Sequence, residues 1–162
     1  MKAGWILFLC VVCAGAWATA DYQARVIAVH DGNTMIVSTE AGEEIEIVLF
    51  GIDCPELEQR FGLEAKNFLE DRVLSKEVVV TELGKDRRGK RLALVQVKGK
   101  KDLRQELLEK GLAWASEKNA DQELVDFQTK AREKGRGLWS DADPTPPWIF
   151  RRQQTMLQPK SS

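Results

Sequence analysis

Three short segments separated by turn residues constrain the fold of this chain most. Residues 44–50 (EIEIVLF) alternate, with isoleucine and leucine on one face and glutamate, valine and phenylalanine on the other. Alternation with a period of two predicts a half-buried strand. Residues 24–30 and 34–39 predict two further strands, because the Asp, Gly and Asn of 31–33 and the Ala-Gly of 41–42 are typical of tight turns. The sequence therefore predicts a three-stranded meander.

The rest of the chain adds helices and two more strands. Apolar side chains at helical spacing predict a helix over 62–74, and apolar segments predict strands over 76–83 and 92–97. Two final helices are predicted, one capped by Asp102 and one capped by Asn119 or Asp121. This order favours the α+β class and the OB-fold, a five-stranded Greek-key β-barrel, here with one inserted helix and two C-terminal helices.

The N-terminal segment resembles an export signal. Residues 1–20 are apolar with a single charge, and they end in the small-residue pattern Ala-Thr-Ala of a cleavage site. We expect a signal peptide, a mature chain that begins at Asp21, and a periplasmic or secreted protein with no integral membrane role after cleavage. The alternative is that this segment is retained as a single membrane anchor. Cleavage would leave Cys54 as the one cysteine of the mature chain.

Composition sets the remaining limits. The 24 basic and 25 acidic residues exclude a uniformly basic nucleic-acid protein, and three Cys with one His exclude a zinc framework. We expect one monomeric domain over 21–150 and a flexible polar tail over 151–162. Charge is uneven along the chain, with ten acidic against two basic residues in 40–71 and nine basic against two acidic in 84–104.

Several motifs, taken together, resemble staphylococcal-nuclease-like (thermonuclease) domains. The matching segments are HDGNT at 30–34, GIDCPE at 51–56, FGLEA at 61–65, DRRGKRLA at 86–93, GLAW at 111–114, GLW at 137–139 and PPW at 146–148. Their order and spacing extend the resemblance over about residues 22–152. It implies an OB-fold, and it implies the family's activity, calcium-dependent phosphodiester cleavage of DNA and RNA.

The resemblance also implies a metal site. It places Asn33, Asp53 and the backbone carbonyl of Cys54 at the calcium ligands. Asn33 stands where the D-G-D-T pattern has its second Asp, so the site carries one negative charge less. Because fewer charges lower the affinity for a hard cation, we expect weak calcium binding.

Three further positions bear on catalysis. The resemblance places Glu56 at the general base that activates water. It places Lys90 and Val48 where the family has its two phosphate-binding arginines. Lys90 keeps the charge without the bidentate fork of a guanidinium, and Val48 keeps neither. Since one lost charge donor typically costs about two to three decades in rate, we expect little or no hydrolysis.

The sequence therefore predicts a degenerate nuclease-like protein that binds single-stranded DNA or RNA, another polyanion or a protein partner. The best phosphate-binding candidates are Arg87, Arg88, Lys90 and Arg91, although such a charged turn can also be merely solvated. One alternative is a functional calcium-dependent endonuclease whose missing arginine is supplied by Arg87 or Arg88. A second is a cell-envelope protein-interaction module that uses the acidic segment.

Overall fold

A closed five-stranded barrel forms the body of the molecule, in a computed structural model that describes residues 21–86 and 88–157. The barrel strands are β1 (Asp21–Val29), β2 (Thr34–Thr39), β3 (Glu44–Leu49), β5 (Glu77–Lys85) and β6 (Arg91–Val97), and β4 (Ile52–Asp53) lies outside the barrel. The strands follow the order β1-β2-β3-β6-β5 around the barrel. All neighbours are antiparallel except β3 and β6, which are parallel. This mixed barrel confirms the predicted α+β OB-fold.

Alternating apolar side chains fill the barrel interior. Val26 of β1 lies opposite Val37 of β2, and Met35 of β2 lies opposite Ile47 of β3. These four side chains are fully buried. A shift of one residue in register would turn each of them to solvent, so the hydrophobic pattern fixes the strand pairing.

A short second ladder extends the barrel toward the groove described below. It joins β4 (Ile52–Asp53) to β7 (Trp114–Ala115), and it pairs Asp53 with Trp114. Gly51 connects β3 to β4 at a φ of 86°. A Cβ atom at Gly51 would lie 2.8 Å from Leu124 Cδ1, so glycine is required both by the backbone conformation and by the close packing.

Helices cover the barrel. They are α1 (Gly62–Val73), α2 (Leu103–Glu109), α3 (Gln122–Glu133) and α4 (Pro147–Leu157), with a 3₁₀ turn at Gly137–Ser140. The side chain of Asp102 caps α2 by accepting from the Arg104 N–H, and that of Asp121 caps α3 by accepting from the Leu124 N–H. Both caps agree with the sequence prediction.

The helix α4 is an addition to the predicted elements. The sequence pattern predicts an extended Pro-rich segment and then a loose tail, whereas the chain is helical from Pro147 through Leu157. Proline at the first helical position suits a helix start, because that N–H has no partner inside the helix. The helix crosses the predicted domain end at residue 150, and the remainder of the predicted tail, 158–162, lies outside the described residues.

The predicted signal peptide, residues 1–20, also lies outside the described residues and stays a prediction. No helix within 21–86 and 88–157 is both long and apolar enough to cross a bilayer.

Candidate nucleic-acid groove

A groove with a volume of about 590 Å³ opens where the turn between β1 and β2, the β4 segment and the turn between β5 and β6 meet. Its described lining carries charges of both signs in equal number. The acidic residues are Asp31, Asp53, Glu56 and Asp86, and the basic residues are Arg88, Lys90, Lys118 and Arg151. The structure thus gathers most of the predicted site residues in one place.

The turn at 31–33 is fastened to the segment that carries Asp53. The Asp31 carboxylate accepts from the Asn33 N–H at 2.9 Å, and the Asn33 Oδ1 accepts from the Cys54 N–H at 3.2 Å. A Cβ atom at Gly32 would lie 2.7 Å from the Cβ atoms of Cys54 and Ala65, so the two segments touch. Asn33 is buried and its amide oxygen holds the backbone together.

Asp53 and Glu56 project from the end of β4 into the groove. Pro55, fully buried between them, ends the ladder, and the Glu56 N–H donates to Gln59 Oε1 at 3.0 Å. Cys54 faces the interior. Burial, with the nearby carboxylates of Asp31, Asp53 and Glu56, raises the pKa of its thiol well above the usual range.

Arg151 of α4 lies between the two carboxylates. Its Nη1 donates to Glu56 Oε1 at 2.6 Å and to Asp53 Oδ1 at 3.2 Å, and its Nη2 donates to Asp53 Oδ2 at 2.6 Å. The pKa of Arg151 is raised above its usual value, and the hydrogen bond to Asp53 is the largest cause. Burial opposes this rise, and the hydrogen bond to Glu56 adds to it. This guanidinium therefore stays charged and neutralises part of the acidic pair.

Aromatic packing holds α4 at this position. Trp148 packs edge-on against Trp114 of β7, with ring centroids 5.7 Å apart, and Trp114 packs in turn against Trp139 at 4.5 Å. Gln59 Nε2 also donates to the Thr145 carbonyl at 2.8 Å. These three rings therefore pack α4 against β7 and the 3₁₀ turn. The sequence-predicted site does not include Arg151, and its place three residues after the PPW motif is the one local signal for it.

Lys90 and Val48 share the β3 side of the groove. Val48 lies opposite Thr34 of β2 and Leu92 of β6 and lines the groove wall. Lys90 Nζ pairs with Glu46 Oε1 at 3.1 Å, so its charge is already partnered. The position where the family resemblance implies an arginine therefore presents an isopropyl group to the groove.

The predicted basic turn is only partly brought to the groove. Arg88 lines it, and the Asp86 carboxylate shapes the turn by accepting from the N–H groups of Arg88 and Lys90. Arg91 lines other, smaller clefts, and it pairs with Glu82 and Glu43. Arg87 lies outside the described residues.

As arranged, the predicted ligands do not fit a calcium ion. Both Asp53 oxygens and one Glu56 oxygen accept from Arg151, and the Asn33 amide oxygen accepts from the Cys54 N–H. Within the part of the chain that the structure describes, no group of three or more His, Cys, Asp or Glu side chains is placed to hold a metal ion. A guanidinium stands beside the carboxylates that would otherwise receive the cation.

Comparison with known proteins identifies the family. The model of the family "Staphylococcal nuclease homologue" matches residues 46–141. The chain is 38% identical over 136 residues to an "Uncharacterized endonuclease" of Escherichia coli O157:H7, covering 83% of this chain and 88% of that protein. It is 34% identical over 149 residues to an "Uncharacterized endonuclease" of Haemophilus influenzae, covering 91% and 83%. It is 33% identical over 153 residues to a "Micrococcal nuclease" of Shigella flexneri, covering 88% and 86%. The chain therefore belongs to the staphylococcal nuclease homologue family.

Proposed function

We propose that this protein is exported, binds single-stranded nucleic acid or another polyanion in its groove, and hydrolyses it slowly or not at all. The observation that carries this proposal is the engagement of Asp53 and Glu56 by Arg151. These are the two carboxylates that the family resemblance assigns to the metal and to water activation. Family membership supports nucleic acid as the ligand class.

The two positions where the family resemblance implies phosphate-binding arginines supply no free cationic donor. Charge builds up on the phosphate oxygens in the transition state, and fixed cationic donors stabilise it. Val48 supplies no charge, and Lys90 is paired with Glu46. Binding has weaker demands, because an exposed lysine or arginine attracts a phosphate without a fixed geometry.

The test is a digestion assay on denatured DNA, with calcium and with a chelator, at high protein concentration. The wild type is compared with the triple variant Asn33→Asp, Val48→Arg and Lys90→Arg, which restores the family pattern and is made in an Arg151→Gln background so that Asp53 and Glu56 are free. A further change, Glu56→Gln, removes the general base from that background. Val79→Arg is the matched control, because Val79 is an exposed valine on β5 away from the groove.

We expect wild type and Val79→Arg to show no cleavage above the chelator background. The triple variant should gain at least about a hundredfold, the cost typical of one lost donor, and Glu56→Gln should abolish that gain. A wild type that already cleaves as fast as the triple variant contradicts the proposal. Absence of polyanion binding would favour the protein-interaction module instead.

The second candidate is a working calcium-dependent phosphodiesterase that uses Arg151 as its phosphate-binding arginine. The relatives named endonuclease and micrococcal nuclease favour it, and so does a guanidinium within the groove. It requires the wild type to cleave DNA with calcium, and Arg151→Gln to lose about a hundredfold of that rate.

A further inference from the structure

The contacts of Arg151 use three of the four carboxylate oxygens of Asp53 and Glu56. The pair is partly shielded from solvent, with 21% of the Asp53 side chain and 32% of the Glu56 side chain exposed. Two carboxylates so close together repel each other, and a cation between them relieves that repulsion. Arg151 is that cation here.

One face of α4 makes two of the contacts that hold the helix in place. Trp148 and Arg151 are three residues apart, a spacing that puts two side chains on the same side of a helix. Trp148 packs on Trp114 of β7, and Arg151 reaches Asp53, which is the ladder partner of Trp114 on β4. The two contacts therefore fall on neighbouring strands of one ladder, and docking of the tryptophan brings the guanidinium to the carboxylates.

The second half of α4 has no such role. The side chains from Arg152 onward are exposed, and Met156 and Leu157 are each 76% exposed. The docked part of the helix is thus short, and its polar anchor in the groove is Arg151.

We propose that Arg151 is a built-in cation that competes with divalent metal ions for Asp53 and Glu56, so that calcium binds this groove only when α4 releases it. The inference rests on the proposed function in that it concerns the regulation of the same groove. A divalent cation must displace the guanidinium to reach both carboxylates. A phosphate group has no such requirement, because it can contact Arg88 and Lys118, which line the groove and form no ion pair with a described carboxylate, while Arg151 stays in place. The docked groove therefore disfavours divalent cations and leaves these phosphate contacts available.

Calcium titration calorimetry of the protein without nucleic acid tests this competition. Arg151→Gln removes the charge and keeps a polar, shorter side chain. Arg152→Gln is the matched control, since it makes the same change at the next, exposed position of the same helix. Trp148→Ala is an independent variant that undocks the helix and leaves Arg151 in the chain. Thermal unfolding of each variant verifies that the barrel is folded.

We expect Arg151→Gln to bind calcium at least about tenfold more tightly than wild type. In that variant the ion does not have to break the charged hydrogen bonds from Arg151 to Asp53 and Glu56. Trp148→Ala should shift the affinity in the same direction, and Arg152→Gln should match wild type. Equal calcium affinity for wild type, Arg151→Gln and Trp148→Ala would overturn the proposal, and so would a gain of the same size for Arg152→Gln.

This measurement is separate from the test of the proposed function. It contains no nucleic acid and follows no cleavage, so failure to bind DNA leaves the competition measurable. Conversely, unchanged calcium affinity in Arg151→Gln would contradict the proposed competition between Arg151 and calcium. Polyanion binding would still be tested by its own assay.

Discussion

The salt dependence of DNA binding should show which groove cations are free to meet phosphate. Each phosphate neutralised on a single strand contributes about −0.7 to the slope of log affinity against log salt. Lys90 and Arg151 are paired with carboxylates, whereas Arg88 and Lys118 form no ion pair with any carboxylate that the structure describes. The two unpaired side chains together should contribute about −1.4.

The assay is fluorescence anisotropy with a labelled oligothymidine at a series of salt concentrations. Arg88→Ala and Lys118→Ala should each flatten the slope by about 0.7, and Lys90→Ala should leave it unchanged. Glu46→Gln should steepen it by about 0.7, because it frees Lys90 for a phosphate. All variants keep Arg87, so any contribution from that side chain cancels in the differences.

Lys100→Ala is the control, since Lys100 is an exposed lysine in a turn outside the groove. The reasoning is refuted if Arg88→Ala and Lys118→Ala both bind with the wild-type slope. It is equally refuted if Lys90→Ala flattens the slope as much as they do, because the ion pair with Glu46 would then not prevent Lys90 from binding a phosphate.

Three further outcomes follow from the packing and the charges. Gly62→Ala should lower the free energy of unfolding by about 3 kcal/mol in urea titrations, because its Cβ would lie 1.9 Å from the Glu56 carbonyl oxygen; Gly42→Ala, with a φ of 80° and no atom within 4 Å, should cost about 1 kcal/mol. The raised pKa of the buried Cys54 thiol predicts that Cys54 does not react with an aromatic disulfide reagent until the protein unfolds, and rapid labelling of Cys54 in the native protein would contradict this. Burial acts to raise the pKa of Glu82, but hydrogen bonds from Arg91 and Tyr22 outweigh it and lower the pKa. The stabilisation is therefore complete above the ordinary glutamate pKa of about 4.3 and is lost as pH falls through the lowered value. Acid titrations should show a larger loss of stability for wild type than for Glu82→Gln.

The barrel was accessible from sequence because its signals are local. Alternation in β3 and the turn residues at 31–33 act within a few positions, and so do the aspartate caps of α2 and α3. The β4–β7 ladder has two residues in each strand, too few to show a periodic pattern in the sequence. This ladder could not be predicted, because it forms through packing between segments that are distant in sequence.

The candidate site divides in the same way. Asn33, Asp53 and Glu56 sit in short motifs, and the structure brings them to one groove with Val48 and Lys90. The contact of Arg151 with Asp53 spans 98 residues and depends on the docking of a helix that the sequence pattern does not predict. No local rule relates an arginine near the C-terminus to a carboxylate at a strand end. Long-range ion pairs of this kind become visible only when the fold is known.

The departure at Asn33 from the nuclease-like motif acts on charge rather than on the shape of the turn. An Asp at position 33 would accept from the Cys54 N–H as well as Asn33 does, so the turn itself does not require an amide. The amide removes a negative charge beside Asp53, and Arg151 adds a positive charge at the same place. Because calcium affinity rises with the number of charged ligands, both residues lower the attraction of the groove for a divalent cation. Both leave the groove less repulsive to a phosphate, which is the balance that the proposed binding without cleavage requires.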